Sequence, residues 1–298
     1  MKNSAEAQRI IAISEAVLTA AIWASSFVLV KIGLRDVGPL TIAGFRYFLA
    51  FLVLTPFLFR PNTPRPTITK KLWGRLFLIG VSAYTIGNGA LFWGLKFLPA
   101  TTVSFLMSLS PLTILFAGIF WLRELPTKWQ VVGVLISIAG SVLFFSSGLQ
   151  LGEPTGILIV FLALIAFMFF GILGREITRA RQLDTLTLTA VPLGIGGGLL
   201  FIVAFPLEGI PILTAQSLGV MFWLAVVNTA LAYILYNHSL QNLTALEMNV
   251  LLNLSPLVTA VLAWWILEER LSLTKIIGML IVVIGVGFVQ WESNQQNN

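Results

Sequence analysis

Ten apolar runs follow one another along this chain, and they constrain its fold more than any other feature. Each run is about 20 residues long, the length that an α-helix needs to cross the hydrocarbon core of a bilayer. Charged residues make up only 10% of the 298 residues, whereas a soluble domain is about one quarter charged. We therefore predict an all-α membrane protein with ten transmembrane helices. The predicted spans are 11–33, 39–59, 73–95, 99–121, 127–146, 154–174, 185–206, 215–238, 244–267 and 273–291.

The loops between these spans are short and carry an uneven share of the positive charge. With the N-terminus in the cytoplasm, twelve of the 18 Lys and Arg residues lie in cytoplasmic segments and five lie on the opposite side. An excess of Lys and Arg marks the cytoplasmic side of a membrane protein. We therefore predict a multi-pass protein of the inner membrane with both termini in the cytoplasm. The net charge of +6 then reflects topology, and no nucleic-acid partner is expected.

One stretch of the first half recurs in the second half at a constant offset of 145 residues. Residues 109–112 and residues 254–257 both read Leu-Ser-Pro-Leu. The same offset relates Glu124 to Glu269, Gly133 to Gly278, and Gly140 to Gly285. Chance similarity between two apolar segments is the alternative, but the persistence of the offset favours a duplicated unit.

The duplication divides the ten spans into two units of five, residues 11–146 and residues 154–291. Because five is odd, the second unit enters the membrane upside down relative to the first. Inverted repeats are a recurrent plan of secondary transporters, in which the two halves exchange inward-open and outward-open shapes. Channels also contain them, so a channel is the alternative. The sequence thus predicts two inverted five-helix repeats.

Polar residues form a stripe along spans 4 and 9. Ser104, Ser108 and Pro111 share one helix face in span 4, because they are spaced by four and three residues. Their counterparts in span 9 are Asn249, Asn253 and Pro256. Such a stripe either makes hydrogen bonds between helices or lines a cargo cavity. We favour the cavity for the two Asn residues. Each proline removes a helix hydrogen bond, so we predict that both act as hinges.

Spans 3 and 8 carry aromatic and amide side chains that suit an amphipathic solute. These candidates are Tyr84, Asn88, Asn228, Tyr233 and Asn237. Arg46 lies within span 2, where a charge is costly and is by default a functional candidate; it binds either a carboxylate or helix carbonyls. Glu15, His238 and Glu247 are candidates for proton coupling. The alternatives are interfacial solvation for Glu15, an interfacial belt for His238 and a helix N-terminus for Glu247. If His238 and Glu247 touch, they form a titratable pair.

Enzymatic and metal chemistry find little support in this sequence. It contains no cysteine and one histidine, so a thiolate or His-based metal site is excluded. No catalytic motif and no phosphate-binding loop occur in the spans. The short loops leave no room for an ATPase domain. We therefore expect no enzyme activity, no cofactor, no metal and no required ATPase subunit. The expected partners are a small-molecule cargo and membrane lipid, and the sequence is compatible with a monomer.

Over residues 11–290 the chain resembles the drug/metabolite transporter superfamily, specifically its EamA-like ten-span members. The resemblance rests on the duplicated order of Pro, Glu and Gly and on two local features. These are Trp23 with Phe27 and Lys31 in span 1, and Phe45-Arg46-Tyr47 in span 2. Tyr233 with Asn237 resembles the polar end of the family's eighth span. Two departures, Phe167 in place of Trp and no Arg in span 7, leave the cavity asymmetric and the cargo open.

The resemblance implies a ten-helix bundle with a central cavity that exports small metabolites such as amino acids, and it adds Trp23 to the candidate site. One alternative is a multidrug or cation carrier, for which Glu15 would be the essential base. Others are a permease for another small solute (a sugar, a nucleotide-like or a phosphorylated metabolite) and, less favoured, a membrane enzyme. The candidate cargo-binding residues are Trp23, Arg46, Tyr84, Asn88, Ser104, Ser108, Asn228, Tyr233, Asn237, Asn249 and Asn253.

Overall fold

The computed structural model describes residues 2–33, 36–59, 68–94, 97–98, 100–146, 152–211, 213–267 and 272–296. Within this part of the chain, residues 2–5, 27–28, 31–32, 100–101, 262–267 and 292–296 are described by their backbone alone. Glu269, the sequence counterpart of Glu124, lies outside the described residues, as does the side chain of Lys31.

The described residues are helical apart from their connections, and they form ten membrane elements in chain order. Nine helices are long and apolar enough to cross a membrane, and a tenth apolar helix is shorter. The first five are α1 (Lys2–Gly33), α2 (Pro39–Leu58), α3 (Lys70–Gly94), α4 (Ala100–Ser108, then Ser110–Ala117 and a π-helical end Gly118–Leu122) and α5 (Lys128–Phe145). The second five are α6 (Pro154–Arg179), α7 (Thr185–Glu208), α8 (Ala215–Ser239), α9 (Ala245–Leu252, then Ser255–Leu267) and α10 (Leu273–Gln296). The predicted ten-helix fold of two inverted five-helix repeats is confirmed.

Short polar residues set where several of these helices begin. Thr127, Thr214 and Thr244 each cap a helix, and the third helical residue reaches back to the cap in every case. Asp184 accepts from the backbone N–H of Thr187 at the start of α7. These bonds satisfy N–H groups that have no partner within the helix. The connections can therefore be short, which keeps consecutive helices antiparallel.

Helices α4 and α9 are both interrupted beside their prolines. In α4 the N–H of Leu109 bonds to the carbonyl of Leu106 at 3.1 Å, a three-residue step in place of the usual four. In α9 the N–H of Leu254 bonds in the same way to the carbonyl of Leu251 at 3.0 Å. Proline has no N–H for the carbonyl four residues earlier. The predicted kinks thus occur at equivalent places in the two halves, while the hinge role of Pro111 and Pro256 stays a prediction.

A π-helical turn, which the sequence did not lead us to expect, also recurs in both halves. It covers Gly80–Gly87 in α3 and Val226–Leu231 in α8. When 145 is added to the residue numbers of the segment in α3, it overlaps the segment in α8. Such turns are uncommon and often lie at functional sites, because they widen the helix and redirect its side chains.

Equivalent helices of the two halves pack against each other through glycines. A Cβ at Gly133 would lie 2.7 Å from the carbonyl oxygen of Gly285, and one at Gly140 would lie 2.6 Å from the backbone nitrogen of Val282. The contact of Gly140 with Gly278 is the pseudo-symmetric counterpart of the contact of Gly133 with Gly285. Close approach of α5 and α10 thus depends on missing side chains. These glycines therefore serve helix packing.

Helices α2 and α7 make the second such pair. A Cβ at Gly44 would lie 2.7 Å from the backbone of Phe201, and one at Gly197 would lie 2.7 Å from the backbone nitrogen of Phe48. The glycine run at 194–198 therefore allows close helix approach. Large apolar side chains such as Phe120 and Ile202 cover the outside of the bundle, where an aqueous surface would disfavour them.

Candidate functional site

A cavity of about 280 Å³ lies between α1, α2, α3, α4, α6, α8 and α9, so both halves contribute to it. Most of its surface is apolar. Its lining residues are Trp23, Ser26, Val30, Arg46, Tyr47, Asn88, Leu91, Phe92, Met107, Ser110, Phe167, Phe170, Tyr233, Tyr236, Asn249, Leu252 and Ser255.

Aromatic rings form one wall of this cavity. The ring centroids of Trp23 and Tyr233 lie 5.1 Å apart, and those of Trp23 and Tyr236 lie 5.8 Å apart. Phe170 stacks on Tyr236 with centroids 4.9 Å apart. Such contacts stabilise a ring cluster beyond the burial of its area. The wall is therefore a rigid apolar surface drawn from α1, α6 and α8.

Arg46 lies at the edge of this wall and is 6% exposed. Its Nε donates to the Thr229 hydroxyl at 3.1 Å, and its Nη2 lies 3.4 Å from the carbonyl oxygen of Asn228. The guanidinium carbon lies 5.0 Å from the centroid of the Tyr47 ring. Both hydrogen-bond acceptors are neutral and belong to the π-helical turn of α8. This turn thus holds a buried cation beside the cavity without neutralising it.

Asn228 supports the wall from behind. Its Nδ2 donates to the carbonyl of Ile22 and, at 3.0 Å, to the hydroxyl of Ser25. Its backbone carbonyl also accepts from Trp23 Nε1 at 3.2 Å. Asn228 is fully buried and does not line the cavity. In the structure it fastens α8 to α1 and positions the Trp23 ring.

The interrupted segments of α4 and α9 face each other at the cavity. Asn249 lines the cavity, and its Oδ1 accepts from the Ser110 hydroxyl at 2.6 Å. Asn253 Nδ2 donates to the backbone carbonyl of Ser108 at 3.0 Å. Since Ser108 and Asn253 are sequence counterparts at the offset of 145, this bond lies on the pseudo-two-fold axis that relates the halves. The cavity is therefore beside that axis.

Five of the predicted cargo-binding residues line the cavity, and six do not. Those at the cavity are Trp23, Arg46, Asn88, Tyr233 and Asn249. Those outside the lining are Tyr84, Ser104, Ser108, Asn228, Asn237 and Asn253. Tyr84 packs behind the wall, with its centroid 5.1 Å from that of Tyr233, and Asn237 donates to the Thr189 hydroxyl at 3.0 Å. Contact with a cargo stays a prediction for all eleven.

Several lining residues were not among the predicted site residues. Ser110 and Ser255 are sequence counterparts within the repeated Leu-Ser-Pro-Leu, so the motif itself was the signal that could have identified them. Phe167 occupies the position equivalent to Trp23, which was a second signal. For Phe170 the sequence offers none, because an apolar ring in an apolar span looks the same whether it faces lipid or a cavity.

The three candidates for proton coupling lie at one end of the bundle and are paired differently from the suggested contact. His238 Nδ1 lies 2.7 Å from Glu15 Oε2, not beside Glu247. Glu247 instead pairs with Arg9 at 2.7 Å and accepts from the backbone N–H of Thr244, also at 2.7 Å. Glu247 thus takes part in the cap at the start of α9, and proton coupling stays a prediction for all three residues. None of the three lines the cavity.

Four side-chain pairs at that same end, three of them ion pairs and one a contact of His238 with a carboxylate, each join the first half of the chain to the second. They are Arg9–Glu247, Glu15–His238, Arg75–Glu176 and Glu124–Arg175, with N···O distances from 2.6 to 2.8 Å. Arg175 also donates to the carbonyl of Leu240 at 2.7 Å. The count of Lys and Arg predicts this end to be cytoplasmic. Among the described residues, no group of three or more His, Asp and Glu could hold a metal ion.

Comparison with known proteins gives consistent matches along most of the chain. The sequence model of the EamA-like transporter family matches residues 10–146 and again residues 155–291. An uncharacterized transporter of Archaeoglobus fulgidus is 29% identical over 90% of this chain and 93% of its own length. The uncharacterized inner membrane transporter YedA of Escherichia coli is 23% identical over 90% of this chain and 87% of its own.

One further relative and one solved structure extend these matches. Protein PecM of Dickeya dadantii is 27% identical over 74% of each chain. A solved crystal structure, 14% identical, matches 99% of this chain and 100% of its own with a TM-score of 0.77. At that identity the likeness concerns the fold alone.

Proposed function

Because the chain belongs to the EamA-like transporter family and is a multi-pass membrane transporter, we propose that it is a secondary transporter that exports amino acids or similar small metabolites. Export would cross the inner membrane by alternating access around the central cavity. One relative carries the name of an inner membrane transporter, which supports the location.

The observation that carries this proposal is the position of the cavity between the two inverted halves. It lies where the interrupted helices α4 and α9 meet, and the Asn253–Ser108 bond marks the axis between them. Transporters built from inverted repeats bind cargo at such an interface, where irregular backbone borders a cavity and not lipid. A stability role for the duplication would not require a cavity there.

Alternating access is supported by side-chain pairs that join the halves at one end, among them the four described above. Each pair can break when the halves separate at that end, since no pair lies within one half. The glycine contacts between α5 and α10 and between α2 and α7 supply tightly packed helix pairs elsewhere in the bundle. This combination suits a rocking motion of one half against the other.

The size and charge of the cavity bear on the alternatives. A volume of about 280 Å³ lies just below the range of roughly 300–1,000 Å³ that is typical of drug-sized ligands. A solute of the size of one amino acid is therefore favoured over a bulky drug. A cation carrier needs a carboxylate at its cargo site, but Glu15 pairs with His238 instead of lining the cavity. A permease for another small solute stays as the second candidate.

A counterflow assay tests the proposal. Purified protein is reconstituted into liposomes loaded with one unlabelled amino acid, and uptake of the same labelled amino acid is measured for each of the standard amino acids. The series is run with and without a pH gradient. We expect transient accumulation of at least one amino acid above protein-free liposomes. Accumulation of none of them, together with accumulation of a sugar or phosphorylated solute, would transfer the proposal to the second candidate.

A further inference from the structure

We propose that the cargo carries a carboxylate, which Arg46 binds, and an apolar body, which lies against the aromatic wall. This inference rests on the proposed function, because it names the chemical class of the solute that the same cavity carries. The inference is more specific than the export of small metabolites in general, because it excludes cations and neutral sugars from the preferred cargo.

The charge of the cavity points to an anion. Arg46 is the single ionisable side chain of fixed charge among the described lining residues, and none of them is Asp or Glu. A buried charge at this depth requires a partner of opposite charge or a strong compensating set of hydrogen bonds. Its acceptors here are one hydroxyl and one carbonyl. The cavity is thus positive when empty, and an anionic group of the cargo would neutralise it.

The geometry of Arg46 suits a carboxylate in particular. A guanidinium carries five N–H donors in a planar fork, and the two hydrogen bonds to α8 engage Nε and Nη2. The Tyr47 ring, 5.0 Å from the guanidinium carbon, supports the group from one side. A guanidinium fixed in this way offers paired donors to the two oxygens of one carboxylate. A phosphate monoester bears more charge than one Arg neutralises, so a single carboxylate fits better.

The remainder of the cavity suits an apolar body. Rings of Trp23, Tyr233 and Tyr236 are held within 6.5 Å of one another and are tilted by 31–65° to one another, so they present a continuous stepped apolar surface and not a flat one. A neutral sugar would leave many hydroxyls facing these rings without partners. The polar atoms of Asn249 and Ser255 are neutral and lie on the α9 side. Their oxygen atoms can accept hydrogen bonds from the ammonium group of an amino acid, and the ring faces attract the same group.

Matched ligand pairs test the carboxylate directly on the wild-type protein. The pairs are 3-phenylpropionate with 3-phenylpropionamide, and L-leucine with L-leucinamide, so each pair differs at the carboxylate. Thermal stabilisation of the purified protein is measured over ligand concentration at constant ionic strength, since a ligand that binds the folded state raises its melting temperature. We expect each carboxylate to bind at least about 30-fold more tightly than its amide, the fold-change that 2 kcal/mol produces.

Three variants assign that preference to a residue. Arg46→Gln removes the charge, and we expect the carboxylate preference to disappear. Arg46→Lys keeps a point charge without the fork, so an intermediate preference is expected. Arg181→Gln is the matched control, because Arg181 is exposed and does not line the cavity. It should bind like wild type. If Arg46→Gln does not fold, the ligand pairs on the wild-type protein and the Arg46→Lys variant still test whether Arg46 binds the carboxylate.

Two results of the binding experiments would overturn the inference. One is equal or tighter binding of the amides to the wild-type protein. The other is an Arg46→Gln variant that folds and keeps the full carboxylate preference. Neither result touches the proposed transport function, which the counterflow assay decides separately. Counterflow of a neutral or cationic solute, with no binding of either carboxylate, would retain the transporter and reject the anion site.

Discussion

Replacing Asn253 by Leu tests whether this side chain satisfies a backbone carbonyl at the helix interruption or contacts the cargo. In the structure its Nδ2 bonds to the carbonyl oxygen of Ser108 at 3.0 Å, and the residue is 7% exposed. That carbonyl does not receive its usual helix partner, since the N–H of Leu112 bonds to Leu109 instead. Leu has similar bulk but no donor. Asn253→Leu therefore leaves a buried carbonyl without the partner that the structure provides.

The expected loss follows from two magnitudes. A hydrogen bond between helices within a membrane contributes about 0.6 kcal/mol on average and about 1.7 kcal/mol at most. A buried acceptor left without a partner costs about 1–3 kcal/mol. We therefore expect Asn253→Leu to destabilise the protein by about 1–2 kcal/mol. Thermal unfolding of the purified protein in detergent should show this as a fall in the melting temperature of about 2–6 °C.

Two matched variants isolate the bond. In Ser108→Ala the hydroxyl that donates to Phe105 at 2.7 Å is lost, but the carbonyl that Asn253 contacts remains. Its melting temperature should change by less than about 1 °C. In Asn253→Asp the shape is kept while the donor becomes an acceptor, so the fall should exceed that of Asn253→Leu. Apparent affinity for the transported solute is measured on the same preparations.

The sequence-based expectation is the opposite, namely that Asn253 contacts cargo. If that is right, Asn253→Leu keeps or raises the melting temperature and loses affinity. Such a result would refute the reasoning from the Ser108 contact. A lower melting temperature with unchanged affinity would instead assign Asn253 to the junction of the two halves.

Three further predictions concern packing, topology and the ion pairs. Gly140→Ala should destabilise the protein by about 1–3 kcal/mol in thermal unfolding, because its Cβ would lie 2.6 Å from the backbone of α10, whereas Gly74→Ala, with open space, should be neutral or stabilising. Reporter fusions in the α4–α5 and α6–α7 loops should report the cytoplasm and those in the α5–α6 and α7–α8 loops the opposite side; a uniform result would reject the inverted arrangement. Glu124→Gln removes the partner of Arg175, 2.8 Å away, and should weaken closure of that end by about 1–3 kcal/mol. Because the chain has no cysteine, Ser255→Cys introduces a single labelling site in the cavity, and the rate at which a thiol reagent labels it from the cytoplasmic side measures the opening of that end. An unchanged labelling rate in Glu124→Gln would contradict a gating role for the pair.

Much of the fold could be predicted from residues alone because it depends on local properties. Span length and hydropathy predict helices, since every backbone polar group in lipid must be satisfied within its own segment. Pro111 and Pro256 indicated interruptions because proline lacks an N–H. Helices α2 and α7 nonetheless stay continuous, although Pro56, Pro192 and Pro206 lie within them. The π-helical turns of α3 and α8 were not predicted, because no residue type specifies such a turn.

The candidate site shows where this reasoning stops. Arg46 was recognisable from its depth in an apolar span, and the structure places it at the cavity. Asn249 and Asn253 have the same side chain and lie on one helix face, yet only Asn249 lines the cavity. Asn249 lies one helical turn before the interruption of α9, whereas Asn253 lies at the interruption itself. The pairing of His238 with Glu15, and of Glu247 with Arg9, likewise depends on which helix ends meet.

By itself, the sequence determined the ten helices, the duplicated unit and the inversion that an odd number of spans imposes. These follow from length, hydropathy and a constant offset, which are properties of the chain in one dimension. Tertiary structure alone decided which polar residues face the cavity and which fasten helices together. The physical reason is that any polar group at membrane depth must find a partner, and a neighbouring helix, a cavity or a solute satisfies that requirement equally well.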